Sequence, residues 1–475
     1  MKRKDFTAVT RIVRLFTVLF LTTFAYSCST FNEQPETVTQ NAATMTTPGK
    51  RSVEQALANL QIVLDAIDGG TRSRTRSIRS IETVYCEEVL AGTRSETSKE
   101  GELVYIVNFE NNDGYAVLGA DEQLAPVITV TEKGSVSQKD LLINPDAMKD
   151  LEYEKLDQDS DPDYKDSPFY DAEDDDFYLG ESDSAFANTL ISSYLNNFLR
   201  NDGEFEYADD CPHNPDDGID TVRDTVRVTA ILKTKWNQSG APFNSKIHMY
   251  DSVNRRPAGC TVAAAAQLFA NRKTPDISVF NLKDTTCTWD SLECCKFGSD
   301  LIDADKEEKI STIYKTLADA FKIKYNYFGT GNSFAKPADV CRYMKNNGFN
   351  NAELKRYYSK KNLLDMIGAG KPVFMGAFIL RKICGHAWII DGMIAYRERK
   401  INRGETLSEE IIGQTMFHCN WGWGGTADGY YASQVFDTNA GPVETDTTID
   451  FTNSKTDKGV YFDSSTLCFY RHIMY

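Results

Sequence analysis

Between residues 151 and 184 the chain carries fourteen acidic residues against two lysines. Charge of one sign at that density repels itself and resists compaction, so no single core can run through the segment, and the fold must be built from what lies on either side. A chain of 475 residues, at about 150 residues per domain, is expected to hold two or three folded parts. The segment lacks the glycine and terminal glutamate spacing of a calcium-binding loop and reads as a solvated spacer. The formal charge of −17 excludes nucleic acid as a main partner, since such binders need clustered Lys and Arg.

The N-terminus has the layout of an export signal. MKRKDFTAVTRIVR carries five basic residues, and the short apolar run LFTVLFLTTFAY follows, too short for a confident membrane span. Ala25-Tyr26-Ser27-Cys28 places small residues before a cysteine, which resembles a bacterial lipoprotein processing site. Residues 1–27 are then a lipoprotein signal peptide, Cys28 is the lipidated first residue, and the polar stretch 28–51 is a flexible tether. The expected location is the bacterial cell envelope, membrane-anchored through the lipid, or outside the cell after processing.

Residues 52–150 read as a small helix-plus-sheet domain. SVEQALANLQIVLDAIDGG opens on a Ser-x-x-Gln capping box, repeats apolar residues at helical spacing and stops at Gly69-Gly70. TRSRTRSIRS follows as a basic loop, and LVYIVNFE, YAVLGAD and PVITVTEKG alternate and turn like antiparallel strands. Nothing in this part collects nucleophiles, bases or ligands. SAFANTLISSYLNNFLR supplies one helix inside the stretch 151–225, taken as an acidic linker and activation region. From 226 to 475 helices come first, then strands and Gly-rich turns, the texture of one α+β domain.

The chemistry gathers in this last part. In PAGCTVAAAAQLF, Pro257 and Gly259 break the chain just before Cys260, and a strong helix former continues, so Cys260 heads a helix. Unpaired N–H groups at such an end favour an anion and make a thiol more reactive. Of the five histidines, His213 lies in a polar linker, His248 and His472 in unremarkable segments, and His418 beside Cys419 in a predicted strand. His386 differs. It sits in ICGHAWIIDG, between Gly385 and an apolar strand, near the ~130-residue separation of Cys and His in papain-type enzymes. Asn420, heading NWGWGG, offers either its amide or a neighbouring carbonyl to orient the imidazole, with Trp421 and Trp423 as shields. Gln238, in TKWNQSGAPFN, offers an oxyanion donor beside the Cys260 N–H. The eleven cysteines are dispersed, lack metal-site spacing, and are expected mostly as free thiols; no metal and no cofactor is implied.

WNQSGAPFN, AGCTVAAAAQ, GKPVFMGAF, CGHAWIIDG and NWGWGG, in that order, resemble the streptopain family of papain-fold cysteine peptidases, and YIVNFENNDGYAVLGAD resembles its inhibitory prodomain. The resemblance covers about residues 80 to 130 and 226 to 475. It implies a two-lobed catalytic domain over 226–475, a helical half and an antiparallel sheet half with the cleft between them, preceded by an α+β prodomain over 52–150. It further implies Cys260 as nucleophile, His386 as general acid and base, Gln238 as oxyanion donor, Asn420 or its neighbours as support, and Gly385, Trp421 and Trp423 at the substrate cleft. Thr261 stands where valine is usual, and Cys384 precedes Gly385; neither removes a catalytic group. Substrates would be proteins or peptides, with the prodomain as intramolecular inhibitor until cleavage between about 184 and 227, where Arg200, Arg223 and Arg227 are basic candidates. Transglutaminase or cell-wall amidase chemistry on the same fold is the alternative, and a non-catalytic surface-binding lipoprotein is the rival from another class. Any peptidase reading requires Cys260 and His386 to face a solvent-open groove in the mature form.

Overall fold

Ser52 and Gln55 close the reciprocal cap that their spacing predicts. The Gln55 N–H donates to Ser52 Oγ (3.3 Å) and the Ser52 N–H to Gln55 Oε1 (2.8 Å), satisfying two of the donors that a helix start leaves open. Helix α1 (Val53–Asp68) begins there. The structure, a computed structural model, describes residues 49–68, 76–86, 100–141, 179–180, 186–200, 219–247, 256–284, 286–293, 304–325, 333–356, 358–379, 384–402, 408–411, 414–436 and 468–475. Cys28 and the acidic segment, apart from 179–180, lie outside them.

Strand β1 (Ile78–Tyr85), which the sequence reading did not foresee, pairs with β2 (Glu102–Phe109), and β2, β3 (Tyr115–Gly119) and β4 (Val127–Thr131) form the predicted antiparallel meander. The basic stretch 71–80, expected as a loop, already enters β1 at its end, because Ile78 pairs with Phe109. The tether expected over 28–51 ends earlier than its polarity suggested. Arg51 is buried, and its guanidinium donates to the carbonyls of Asp121, Glu122 and Leu124, while Lys50 pairs with Asp121 at 2.9 Å.

After β5 (Leu179–Gly180), helix α2 (Phe186–Arg200) buries Phe186, Leu190, Tyr194 and Phe198 along one stripe, with Ile191 and Leu195 beside it. That stripe explains why residues 186–200, inside the stretch expected as a linker, belong to the body: such a face is stable only against other apolar surface. It packs into one core with Leu103 and Val117 of the meander and with Trp388 and Trp421 from the far end of the chain. Strand β6 (Ile219–Val228) follows. Arg223 and Arg227 thus lie in a paired strand, whose hydrogen-bonded backbone is a poor protease target; residues 201–218 lie outside the described set.

The rest has helices first and strands later, as expected: α3 (Cys260–Arg272), α4 (Ala304–Ala320), β7 (Lys324–Tyr325), β8 (Ser333–Ala335), α5 (Pro337–Asn346), β9 (Glu353–Arg356), α6 (Lys360–Gly368), β10 (Val373–Ile379), β11 (Cys384–Asn402), β12 (Ser408–Ile411), β13 (Thr415–Asn420), β14 (Gly429–Ala432) and β15 (Cys468–Met474). Helix α3, with Val262, Leu268 and Phe269, is the centre of a second core with α4 and α5. Long strand β11 pairs first with β10 and then with β6 and β12, while β13 lies along its middle. Two separate sheets were expected, one per domain. Instead β4 pairs with β14, and twelve of the described strands join into one sheet in the order β1-β2-β3-β4-β14-β13-β11-β10-β15-β9, with β6 and β12 also on β11, while β5, β8 and β7 form a separate three-stranded sheet. Helix α1 covers this joint, since Ala56, Leu60 and Val63 share a core with Ile394, Met416 and Tyr430.

A charge cluster ties the same joint. His418 Nδ1 meets Asp391 Oδ1 at 2.5 Å and its Nε2 meets Glu132 Oε1 at 3.1 Å, while Lys235 Nζ contacts Glu132 Oε2 (3.1 Å) and Asp428 Oδ2 (2.9 Å). The Tyr430 ring stands edge-on to the imidazole at 5.0 Å. Burial alone would keep His418 neutral, but Asp391 and Glu132 outweigh it and raise its pKa from 6.5 to about 9. Burial would likewise raise Glu132, but His418 and Lys235 outweigh it and lower its pKa from 4.5 to about 2. The stabilisation from His418 is therefore complete below pH 6.5 and lost as pH rises through about 9; that from Glu132 is present above 4.5 and lost as pH falls through about 2. Glu132 is 39% exposed by side chain, so solvent screens part of the effect. Glu132→Gln is expected to lower the thermal midpoint of the full chain at pH 7 and to flatten its decline between pH 7 and 10, as read by scanning calorimetry; an unchanged pH profile would show that Glu132 does not carry this contact.

Candidate active site

Gly259 is the N-cap of α3, with φ 97° and ψ 153°, a conformation that side chains rarely adopt. A Cβ there would also collide with Ser333 Oγ, so only glycine lets the chain turn into the helix at this point. Cys260 is the first residue of α3, as the sequence predicts. The following alanines are buried, and Ala263 packs within 3.4 Å of where a Cβ on Gly422 would stand, so small residues on both sides bring the Trp421-Gly422 segment down onto the helix.

A short relay of backbone bonds then links the predicted residues. The Ala258 and Gly259 N–H groups donate to the Gln238 carbonyl at 2.9 and 3.2 Å, and the Gln238 N–H donates to the Gly422 carbonyl at 2.9 Å. One residue earlier, the Trp421 carbonyl lies 2.8 Å from His386 Nε2. A carbonyl only accepts, so Nε2 carries the proton and Nδ1 the lone pair. Nδ1 has no hydrogen-bond partner among the described residues, which leaves it as the ring's basic atom.

The orienting group for His386 is thus a backbone carbonyl and not the Asn420 side chain. Asn420 is committed elsewhere: its Nδ2 donates to the Thr234 carbonyl (3.0 Å), and its Oδ1 accepts from Gln267 Nε2 (3.0 Å) and the Gly422 N–H (3.2 Å). Trp421 is wholly buried, against Trp388 at 5.0 Å and Tyr431 at 5.3 Å, so its indole is core in this form of the chain. Trp423 lies 4.7 Å from the His386 ring and bridges Asn237 through its backbone. Gly385 is buried in β11, paired with Phe378 of β10.

Among the described residues no open groove reaches Cys260 or His386. Cys260 is 1% exposed and His386 0%. Phe186 of α2 stands 5.4 Å from the imidazole, and Trp388 stacks on it at 6.4 Å and 9°. Burial drives the His386 pKa down from 6.5 to about 3, with the Trp421 carbonyl opposing only in part. The ring is therefore neutral here and cannot act as the cation of a thiolate–imidazolium pair. Because burial depresses this pKa, the covered state loses stability as pH falls from 6.5 through about 3.

Two further features escaped the sequence reading. Phe186 was placed in a helix, but nothing local shows that the helix reaches His386. The Asp428 carboxylate accepts the Trp421 N–H at 2.9 Å and so fixes the residue whose carbonyl holds the imidazole; the only hint was its place after the Gly-rich turn. Cys287, Cys341 and Cys419 are buried free thiols, and among the described residues no group of three His, Cys, Asp or Glu side chains is arranged to hold a metal.

The model of the peptidase C10 family matches residues 236–431, a span that holds Gln238, Cys260, His386 and Asn420. No curated protein matches the sequence at a significant level. Among solved structures, a fragment of Prevotella intermedia prointerpain A carrying a cysteine-to-alanine substitution is similar at 16% identity and a TM-score of 0.43, over 75% of this chain and 93% of that one. The active wild-type interpain A cysteine protease of the same organism is similar at 22% identity and a TM-score of 0.32, over 43% of this chain and 85% of that one. The family match carries the assignment: residues 236–431 match the peptidase C10 family, the streptopain family, and mark the chain as a cysteine-type peptidase.

Proposed function

We propose that this chain is an endopeptidase made as a latent precursor, with Cys260 as nucleophile, His386 as acid and base, and Gln238 as oxyanion donor. The observation that carries the reading is the relay from the Gly259 N–H through Gln238 and Gly422 to the Trp421 carbonyl and His386 Nε2. It supports a nucleophile, a base and an oxyanion donor held in one neighbourhood by backbone. In the mature form the Cys260 thiol gives its proton to His386 Nδ1, and the sulfur bonds to the peptide carbonyl carbon. The oxyanion rests on the Gln238 side-chain amide and the Cys260 N–H. The C–N bond breaks as Nδ1 returns the proton to the leaving amine. Water then attacks the thioester, Nδ1 takes its proton, and the carbon–sulfur bond breaks to release the acid.

Latency follows from the packing of α2. Phe186 covers the imidazole, and the same helix is held by the N-terminal part, whose Ala125 N–H donates to Tyr194 Oη (2.9 Å) and whose Tyr115 Oη donates to Asn188 Oδ1 (3.2 Å). Strand β5, just upstream of α2, pairs with β8 at Ala335, beside the Ser333 that abuts Gly259. The inhibitory segment is therefore read as residues 52–150 together with β5 and α2, an extension of the prodomain expected from the sequence. Cleavage after α2, in the stretch up to β6, would free this segment. Attachment to a membrane through a lipid on Cys28 is part of the same proposal, supported by the residues that precede that cysteine.

Three outcomes are expected. Cys260→Ala abolishes cleavage of casein and labelling by iodoacetamide at this position; full turnover in that variant would move the nucleophile elsewhere. Phe186→Ala in the full-length precursor removes a buried ring contact of a kind worth about 3–5 kcal/mol, so Cys260 should alkylate faster before any processing. An unchanged alkylation rate would show that Phe186 is not the cover. Cells fed a labelled fatty acid incorporate it into the chain but not into Cys28→Ser, and equal labelling of both would remove the anchor from the proposal.

A further inference from the structure

Gln267 lies two helical turns below Cys260 on the same face of α3, about 10 Å along the axis. It is 0% exposed, between the alanines and Leu268 and Phe269 in the buried middle of the helix. A buried amide is tolerated only when its donors and acceptor are matched, and the partners of Gln267 come from two other segments. Its Oε1 accepts the Trp236 N–H at 3.0 Å. Its Nε2 donates to Asn420 Oδ1 at 3.0 Å, and Asn420 Nδ2 turns back toward Gln267 Oε1 at 3.4 Å.

Each partner leads directly to a group of the proposed site. Trp236 is two residues before Gln238, and its carbonyl accepts the Gly424 N–H at 3.3 Å. Asn420 Oδ1 accepts the Gly422 N–H at 3.2 Å, and between them Trp421 holds His386. One side chain therefore joins the nucleophile helix, the oxyanion segment and the imidazole support. Building on the peptidase reading above, we propose that Gln267 is a positioning residue that sets the Gln238 amide and the Trp421 carbonyl in register with Cys260.

An isosteric apolar side chain would fill the same volume but remove this acceptor from the Trp236 N–H and this donor from Asn420 Oδ1. The two segments would then be free to shift against α3. A displacement of about 1 Å at a reacting group can lower a rate by about 100-fold, whereas docking of substrate backbone depends on the cleft surface and not on this junction.

The test compares full-length wild type, Gln267→Met and Gln267→Glu. All three are matured with the same trace of tagged wild-type enzyme, which is then withdrawn on its tag, so processing does not depend on the variant. Casein-derived fluorogenic peptide turnover, thermal midpoint and the pH profile of Cys260 alkylation by iodoacetamide are read on each. For Gln267→Met, kcat is expected to fall about 10- to 100-fold with KM within about twofold, and alkylation to move toward the ordinary thiol range near pH 8.5. Gln267→Glu keeps an acceptor for the Trp236 N–H and is expected to recover part of kcat. Wild-type kcat and alkylation profile in Gln267→Met, with only the thermal midpoint lowered, would overturn the proposal. If Gln267→Met does not fold, Gln267→Glu decides: reduced kcat at an unchanged midpoint supports the role, and wild-type kcat overturns it. A wild-type enzyme that neither cleaves peptide nor alkylates at Cys260 would overturn the peptidase reading itself and this inference with it, an outcome distinct from normal variants of an active enzyme.

Discussion

Among the described residues the His386 imidazole has one hydrogen-bond partner, the Trp421 carbonyl at 2.8 Å, and four rings pack around it: Phe186, Trp388, Trp421 and Trp423. That surrounding settles the charge state, since a low-dielectric shell favours the neutral ring and the carbonyl fixes the proton on Nε2. The same shell contains a residue, Phe186, from a helix far upstream of the matched peptidase segment. Chemistry at Nδ1 and packing of the upstream chain thus compete for one ring. On the proposed reading, removal of α2 would both open the site and let the imidazole accept charge.

The upstream part is not an appendage on a finished domain. Strand β4 pairs with β14, α1 shares a core with Ile394 and Met416, and Glu132 sits between His418 and Lys235. The charge cluster continues toward the site, because Asp428, the partner of Lys235, also accepts the Trp421 N–H. One face of the support segment is therefore set by an ionic contact to which the N-terminal part contributes. The opposite face rests on the amide pair of Gln267 and Asn420. Both supports are polar groups in a dry interior, where a bond made is strong and a bond lost leaves an orphan.

Much of the local structure was legible because its causes lie within a few residues. Ser52 and Gln55 mark a helix start, the alternating strands between 102 and 131 pair in sequence order, and Gly259 before the alanine run places Cys260 at the head of α3. The site was legible in part for a similar reason: NWGWGG and GHAW each lie on one short element. The choice between the Asn420 amide and a neighbouring carbonyl was not, since a one-residue step in a strand reverses which groups face the histidine. Gln267 was hidden because a polar residue in an apolar helix shows no partner until other segments arrive. The reading of 151–225 as linker went astray over α2 and β6 because the acidic run dominates the composition there, although the apolar stripe of α2 follows at once.

Sequence by itself determined the residues able to do thiol chemistry, the helix end that carries Cys260, the strand that carries His386 and the glycines that allow close approach. These depend on side-chain identity and on backbone preferences over one or two turns. Tertiary structure alone decided that the upstream and peptidase parts share one sheet, that a backbone carbonyl orients the imidazole, and that Phe186 shuts it from water. Those outcomes join segments distant in the sequence, and only packing of complementary surfaces brings such segments together.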